Sequence, residues 1–225
     1  MTRANLRAMK TLLVINASGR VTRSITRHLS QRFTEAWRAA NPNGQIINRD
    51  LLATPPPFVT ERWIAAAFAS PDNRTSELSN ALEHSEILLR EIESSDEIVI
   101  ATPIYNFGMP AALKAYFDQI VRVDRTFDFL PGSENPYRPL LESRPVTVLL
   151  SVGDGSLLPR RPLAHLNHLE PHLTTVLEFI GLRDIHFVRV GDEEFGGEAL
   201  RASIARAEAQ IDEIFSQRIA ERQAA

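Results

Sequence analysis

The sequence predicts a three-layer α/β sandwich built around a five-stranded parallel sheet, and three observations carry that expectation. Short apolar runs alternate with helical apolar stripes along the chain, the order that places parallel strands under helices on both faces. The runs Thr11–Asn16, Glu97–Ala101 and Pro145–Leu150 are nearly all apolar, as doubly covered strands must be. The segment Thr102-Pro-Ile-Tyr-Asn-Phe-Gly-Met-Pro110 joins the third strand directly to an amphipathic helix. That makes it a βα loop at the carboxyl edge of the sheet, where open α/β folds bind their ligands.

The elements follow in order. Thr11–Asn16 leads to a helix whose Ile25, Leu29, Phe33 and Trp37 recur at helical spacing. Gln45–Arg49 is the second strand. Between Leu51 and Thr75 lie Pro55-Pro56-Pro57 and then Phe58, Trp63, Ile64 and Phe68, too many large apolar groups for a free linker. They predict a structured excursion that lines a pocket or meets a second subunit. Glu97–Ala101 and a helix with Leu113, Tyr116, Phe117 and Ile120 come next, followed by Pro145–Leu150 and Asp184–Val190 as fourth and fifth strands. Leu200, Ile204, Ala207, Ile211 and Ile214 mark the last helix. Five strands in this arrangement suggest the flavodoxin-like order 2-1-3-4-5. Met1–Met9 reads as a polar leader, with Met9 as an alternative start, and residues 10–225 as one domain.

Bulk properties narrow the function. A chain of 225 residues with 44% hydrophobic content buries one substantial core. A net charge of −3 and a pI near 6.1 argue against nucleic acid or an anionic membrane as partner. The absence of cysteine excludes disulfides, thiolate metal sites, Fe–S clusters and thiol redox chemistry, so any electron transfer must run through a bound cofactor. No apolar run reaches the roughly 18 residues of a spanning helix, and the amino terminus lacks a signal-peptide core, so the expected location is cytoplasmic. His165, His168, His172 and His186 show no metal-ligand spacing and read as surface or helix residues.

Three loops on one sheet edge carry candidate ligand groups. After the third strand, Tyr105 and Phe107 suit the faces of a planar ring, a flavin foremost, while Asn106 and the loop amides suit its heteroatoms. On these residues alone the loop is equally a tight connection whose Pro110 opens a helix. After the first strand, Ser18, Ser24 and Thr26 precede or enter a helix, where free amides attract a phosphate. Arg20 and Arg23 stand nearby, and Ser24 also reads simply as a cap. After the fourth strand, Ser151-Val-Gly-Asp-Gly155 lets backbone approach a ligand closely or forms a plain turn. Neither a Gly-x-Gly-x-x-Gly fingerprint nor a Walker lysine follows the first strand, which disfavours a tightly bound NAD and a nucleotide triphosphatase.

Pro103-Ile-Tyr-Asn-Phe107, the following Leu113-Lys-Ala-Tyr-Phe-Asp118, Ser24-x-Thr26, Arg125-Thr-Phe-Asp-Phe129 and Phe179-Ile-Gly-Leu-Arg-Asp-Ile-His-Phe-Val188 together resemble the FMN-dependent NADH-azoreductase family. These are flavodoxin-like NAD(P)H:quinone oxidoreductases, and the likeness runs over nearly the whole chain from Met9. The resemblance implies noncovalent FMN, with phosphate contacts from Ser18, Ser24, Ile25 and Thr26. It places Ile104, Tyr105, Asn106 and Phe107 beside the isoalloxazine, and Ser151, Val152, Gly153 and Asp154 at its pyrimidine edge. Phe127 and Phe129 would lie on the substrate side, though on the residues alone they are equally core packing on a β-like segment. It further implies hydride from NADH or NADPH, two-electron ping-pong transfer to a quinone or azo compound, and a homodimer. The chain departs from the family's usual Ser-Arg-Gly-Gly at Val152 and Asp154. A carboxylate replacing positive charge there would disfavour anionic reduced flavin. The alternatives are a flavodoxin-type carrier, marked by a stable one-electron reduced state, and a non-enzymatic flavin-binding regulator or interaction protein.

Overall fold

A computed structural model describes residues 9–224, so the expected leader falls, apart from Met9, outside the described residues. In chain order the elements are β1 (Thr11–Asn16), α1 (Ile25–Ala40), β2 (Gln45–Asp50), α2 (Glu61–Phe68), α3 (Ser76–Ala81), α4 (Glu83–Glu93), β3 (Glu97–Pro103), α5 (Ala111–Ile120), β4 (Phe127–Phe129), β5 (Tyr137–Pro139), β6 (Val146–Ser151), α6 (Leu169–Ile180), β7 (Ile185–Val190) and α7 (Gly197–Ala224). The main sheet runs β2-β1-β3-β6-β7 with every pair parallel. This is the flavodoxin-like order 2-1-3-4-5, with an antiparallel hairpin, β4-β5, inserted before the fourth strand of the sheet. Phe127 and Phe129 do lie on a β segment, but a small one outside the main sheet.

Alternation along the strands sorts the core into two layers. Leu12 and Val14 of β1 face α1 and α7, packing with Leu29, Phe33, Trp37, Ala207, Ile211 and Phe215. Leu13 and Ile15 face α4, α5 and α6, packing with Leu88, Leu113, Phe117, Leu173 and Leu177. Of the stripes read from the sequence, Leu29, Phe33, Trp37, Ala207 and Ile211 are buried, while Ile25, Leu200, Ile204 and Ile214 are partly buried and pack against the margin; in α7 the seam turns so that Phe215 is buried. Glu97, buried at the start of β3, accepts from Trp37 Nε1 at 2.9 Å and Arg218 Nη1 at 2.6 Å, so its charge is paired inside the α1–α7 layer.

The register aligns the carboxyl ends. Asn16 stands opposite both Asp50 and Ala101, Pro103 opposite Ser151, and Ser151 opposite Val190. Pairing continues past the strands through Ala17 N–H to Ala101 O (2.9 Å), Ile104 N–H to Ser151 O (2.9 Å) and Val152 N–H to Val190 O (2.9 Å). The loops that leave these strands therefore start from one level, already fixed to their neighbours.

The excursion between β2 and β3 is structured. Trp63, Ala66, Ala67 and Leu82 form a small core of their own. A buried relay docks it on α5: Trp63 Nε1 donates to Gln119 Oε1 at 2.8 Å, and Gln119 Nε2 donates to Pro57 O at 2.8 Å. Arg122, 1% exposed, donates to Ser85 Oγ at 3.0 Å and Glu86 Oε1 at 2.8 Å. Phe58, Ile64 and Phe68 point outward instead, with Phe58 75% and Phe68 74% exposed. A Trp63→Phe substitution keeps the apolar body but leaves buried Gln119 Oε1 without its donor, so it should destabilise the protein by about 1–3 kcal/mol. Urea unfolding checks this, and an unchanged midpoint would refute the relay.

Candidate functional site

At the end of β1 the chain turns through Ser18, Gly19 and Arg20 before α1 begins. Ser24 caps α1: its Oγ accepts the Arg27 N–H at 3.3 Å and lies 3.3 Å from Thr26 Oγ1. The first turn of α1 contains no acidic side chain, so nothing there cancels the positive field of the helix end. Arg27 reaches back under the loop, its Nε donating to Arg20 O at 2.8 Å and its Nη2 to Ser18 O at 2.9 Å. Its other edge grips Asp50, the last residue of β2, at 2.6 and 2.9 Å.

After β3, Tyr105 and Gly108 exchange backbone hydrogen bonds of 3.1 and 3.0 Å, and the two residues between them have φ of +46° (Asn106) and +72° (Phe107). Two left-handed central residues define a type I′ turn. Asn tolerates that region; Phe does so at a cost of about 1 kcal/mol or more, repaid by surrounding contacts. One of these is visible: Phe107 O accepts the His168 N–H at 2.9 Å. The turn projects Tyr105, Asn106 and Phe107, all exposed, and Tyr105 Oη accepts the Gly19 N–H at 3.2 Å, tying this loop to the one after β1.

The loops after β6 and β7 interlock. Glu194 N–H donates to Gly153 O at 3.0 Å, Glu193 N–H to Val152 O at 3.3 Å, and Gly155 N–H to Asp192 Oδ1 at 3.2 Å. A Cβ on Gly153 would lie 2.6 Å from Glu194 Cδ, and one on Gly155 2.5 Å from Asp192 Oδ1, so the two glycines let these acidic side chains fold back onto the loop.

A cavity of about 160 Å³ opens where these loops meet, lined by Ser18, Ser24, Ile25, Ile104, Tyr105, Ser151 and Gly153 from the sequence-derived set, together with Pro103, Arg20, Glu193 and Glu194. The other expected residues sit around it differently. Thr26 is buried behind Ser24, and Val152 is buried with its N–H in the sheet. Asn106 and Phe107 stand at the tip of the turn. Phe129 belongs to an aromatic cluster on the β4-β5 hairpin, its ring 5.6 Å from that of Tyr137.

Asp154, expected to place negative charge at a ring edge, is turned onto its own segment. Its carboxylate accepts the Ser156 N–H at 2.8 Å and caps a single 3₁₀ turn, and that bond holds its pKa below the ordinary carboxylate value. The carboxylates lining the cavity are those of Glu193 and Glu194, which sequence reasoning missed because the loop after the fifth strand was left out of the site. The signal was available: that strand ends on the same edge. Glu193 is paired with Arg20, so the one arginine of the lining is engaged across the cavity mouth.

Residues 10–215 match the family model Flavodoxin_2, of flavodoxin-like fold. Over 206 residues the chain is 51% identical to an FMN-dependent NADH:quinone oxidoreductase of Opitutus terrae, spanning 92% of this chain and 97% of that one. The chain belongs to the FMN-dependent NADH:quinone oxidoreductase family. A further relative, FMN-dependent NAD(P)H:quinone oxidoreductase 1 of Pseudomonas aeruginosa, is 38% identical over 205 residues, 90% of this chain and 97% of its own. The azoreductase structure from Bacillus anthracis superposes with a TM-score of 0.82 at 19% identity, covering 93% of this chain and all of that one, a likeness of fold.

For a member of the FMN-dependent NADH:quinone oxidoreductase family, the group to test against this cavity is FMN. The donor set fits it. Ser18 and Ser24 hydroxyls at an uncompensated helix amino terminus suit a phosphate, and Tyr105, Ile104, Ser151 and Gly153 offer apolar and polar edges to a flat ring. The electrostatics beneath the loop yields a pH signature. The Arg27 guanidinium holds the Asp50 carboxyl below its ordinary value, so the stability this adds is complete above the unfolded carboxyl pKa, about 4, and is lost as the pH falls through the lower folded value. The difference in unfolding free energy between wild type and Asp50→Asn should stay constant near neutrality and shrink below about pH 4. Chemical denaturation across that range is the measurement, and a difference independent of pH would refute the pairing.

Proposed function

We propose that this chain holds FMN noncovalently in the cavity and uses it to pass two electrons from NADH or NADPH to a quinone or azo compound. The observation that carries the reading is the convergence of Ser18, Ser24, Ile25, Ile104, Tyr105, Ser151 and Gly153, from three separate βα loops, on one cavity. Bound FMN would supply hydride acceptance and two-electron donation, so no side chain need act as nucleophile. The protein's part is binding, orientation and exclusion of water. Ser18, Ser24 and Thr26 with the amides around Ile25 serve the phosphate. Ile104, Tyr105 and Phe107 flank the ring, Asn106 orients it, and Ser151 and Gly153 form its polar edge, with Val152 and Asp154 holding that segment in place rather than facing the ring. Donor and acceptor would use the same ring face in turn, giving ping-pong kinetics.

The reading includes a homodimer in which Phe129 and the partner's surface shape the acceptor site. Exposed Phe58, Ile64 and Phe68 on the docked excursion support it, since apolar side chains this large are costly to leave in water as a group. A cytoplasmic location accords with the cysteine-free composition, and among the described residues no helix is long and apolar enough to cross a membrane.

The deciding experiment reconstitutes the protein with FMN, removes the excess, and records the visible spectrum during anaerobic NADH addition. Protein-bound flavin bands that bleach directly to the two-electron reduced form and return on adding a quinone are the expected result. A persistent one-electron form would favour a flavodoxin-type carrier, and no retained flavin would overturn the proposal. Asn106→Ala should weaken flavin binding or turnover about tenfold, the scale of one lost hydrogen bond to a polar ring atom. Asn106→Gly keeps the left-handed backbone, so an equal loss in both variants assigns the effect to the amide; full activity of the glycine variant would remove that role.

A further inference from the structure

We infer that Arg27 and Asp50 form a clamp that sets the peptide orientations of the phosphate-binding loop, with Arg27 acting as a positioning residue rather than a phosphate ligand. The inference rests on the proposal that this cavity takes FMN. Arg27 is three residues past the helix cap and Asp50 ends a different strand, so neither belongs to the loop they organise.

The geometry is specific to arginine. One edge of the planar guanidinium, Nη1 and Nη2, faces Asp50 Oδ2 and Oδ1 at 2.6 and 2.9 Å. The other edge, Nε and Nη2, donates to Arg20 O and Ser18 O at 2.8 and 2.9 Å. Only a fixed fork of donors makes four such bonds at once; an ammonium is a point charge. Asp50 is itself fixed, its Oδ1 accepting the Leu52 N–H at 2.9 Å, and its backbone is in register with Asn16 of β1. The end of β2 thus dictates where the guanidinium sits.

The consequence follows from peptide planarity. All described peptides are trans, so within each unit the N–H points opposite to the C=O. Drawing the Ser18 and Arg20 carbonyls down onto Arg27 turns the Gly19 and Val21 N–H groups the other way. For Gly19 the result is visible: its N–H meets the hydroxyl of Tyr105, a cavity-lining residue, at 3.2 Å. The clamp therefore turns these two N–H groups to the side away from Arg27, that of Gly19 onto a cavity-lining residue, and keeps two carbonyl oxygens, which would repel a phosphate, engaged on the guanidinium. Because every donor of Arg27 in these contacts is committed and its charge is matched by Asp50, it contributes orientation with little net field.

The test compares FMN with riboflavin, which has the same ring and no phosphate, on the full chain. Dissociation constants come from quenching of flavin fluorescence in wild type, Arg27→Met, Arg27→Lys, Asp50→Asn and the charge-balanced double variant Arg27→Met/Asp50→Asn, with FMN titrations of wild type and the double variant repeated at several salt concentrations. Each variant should bind FMN about tenfold more weakly, the scale of a lost charge-assisted hydrogen bond, while riboflavin affinity changes less than about twofold; in the double variant, which removes both charges together, the salt dependence of FMN binding stays as in wild type. Recovery of FMN affinity in Arg27→Lys, or a flatter salt dependence in the double variant, would overturn the clamp by making Arg27 a direct charge for the phosphate. Equal losses for FMN and riboflavin, or no loss, would overturn it as well. If Arg27→Met fails to fold, Arg27→Lys and Asp50→Asn decide by the same comparison of FMN with riboflavin, the first keeping the charge without the fork and the second keeping the fork without its carboxylate. A wild type that binds riboflavin as tightly as FMN would instead sink the reading of the cavity itself, and the clamp with it.

Discussion

The structure depends on the reversal of strand order between β1 and β3. From β1 the chain adds β2 on one side and then returns to build β3, β6 and β7 on the other, so the loops after β1 and β3 part company and leave a crevice between them. Beneath that crevice the pairing is continuous from β1 through β3 to β6, by Ala17 N–H to Ala101 O and Ile104 N–H to Ser151 O. The cavity is therefore a product of connectivity, and side-chain choice in the loops only furnishes it. Moving its walls would require breaking sheet pairing, which makes the site rigid where a cofactor must be oriented.

Charge in and beneath the cavity is almost entirely internal. Arg27 is spent on Asp50 and on two carbonyls, and Arg20 on Glu193, so both have partners within the protein; Arg23, exposed just before the cap, lies outside the cavity lining. Within the lining, what remains for an anion is dipolar: serine hydroxyls, backbone amides and the unopposed end of α1. Dipoles fixed by a rigid frame need little reorganisation when a ligand arrives, whereas exposed cations would be screened by salt. Glu194 adds negative charge to the lining, and with Glu193, paired to Arg20, it brings the loop after β7 into the site, where hydrogen bonds to Gly153 and Gly155 hold the loop after β6.

The turn after β3 shows where local preference yields to position. Phe107 at φ +72° contradicts the propensity of a bulky side chain, and the two cross-turn hydrogen bonds and the His168 contact hold it there. The adjoining Asn106 suits the same geometry without strain. The pair places a polar amide and an aromatic ring at one tip.

Strand and helix identities were legible because burial imposes periodicity: Leu12 to Ile15 alternate between two layers, and Leu29, Phe33 and Trp37 follow one helical seam. The ligand-bearing character of the loops after β1, β3 and β6 was legible too, since Ser18, Ser24, Tyr105 and Ser151 carry their chemistry in their type. The direction each group faces was not. Asp154 lies between Gly153 and Gly155 as the sequence says, yet its carboxylate caps its own turn. Arg27 reads as one more exposed helical cation until β2 brings Asp50 beside it, 23 residues along the chain. Glu193 entered the site only because β7 pairs with β6 and ends level with it. Sequence by itself determined which segments are buried and which carry polar chemistry, because those depend on residue type and spacing. Only the tertiary structure decided which polar groups face the cavity and which are consumed in holding it, because that depends on partners supplied by other strands.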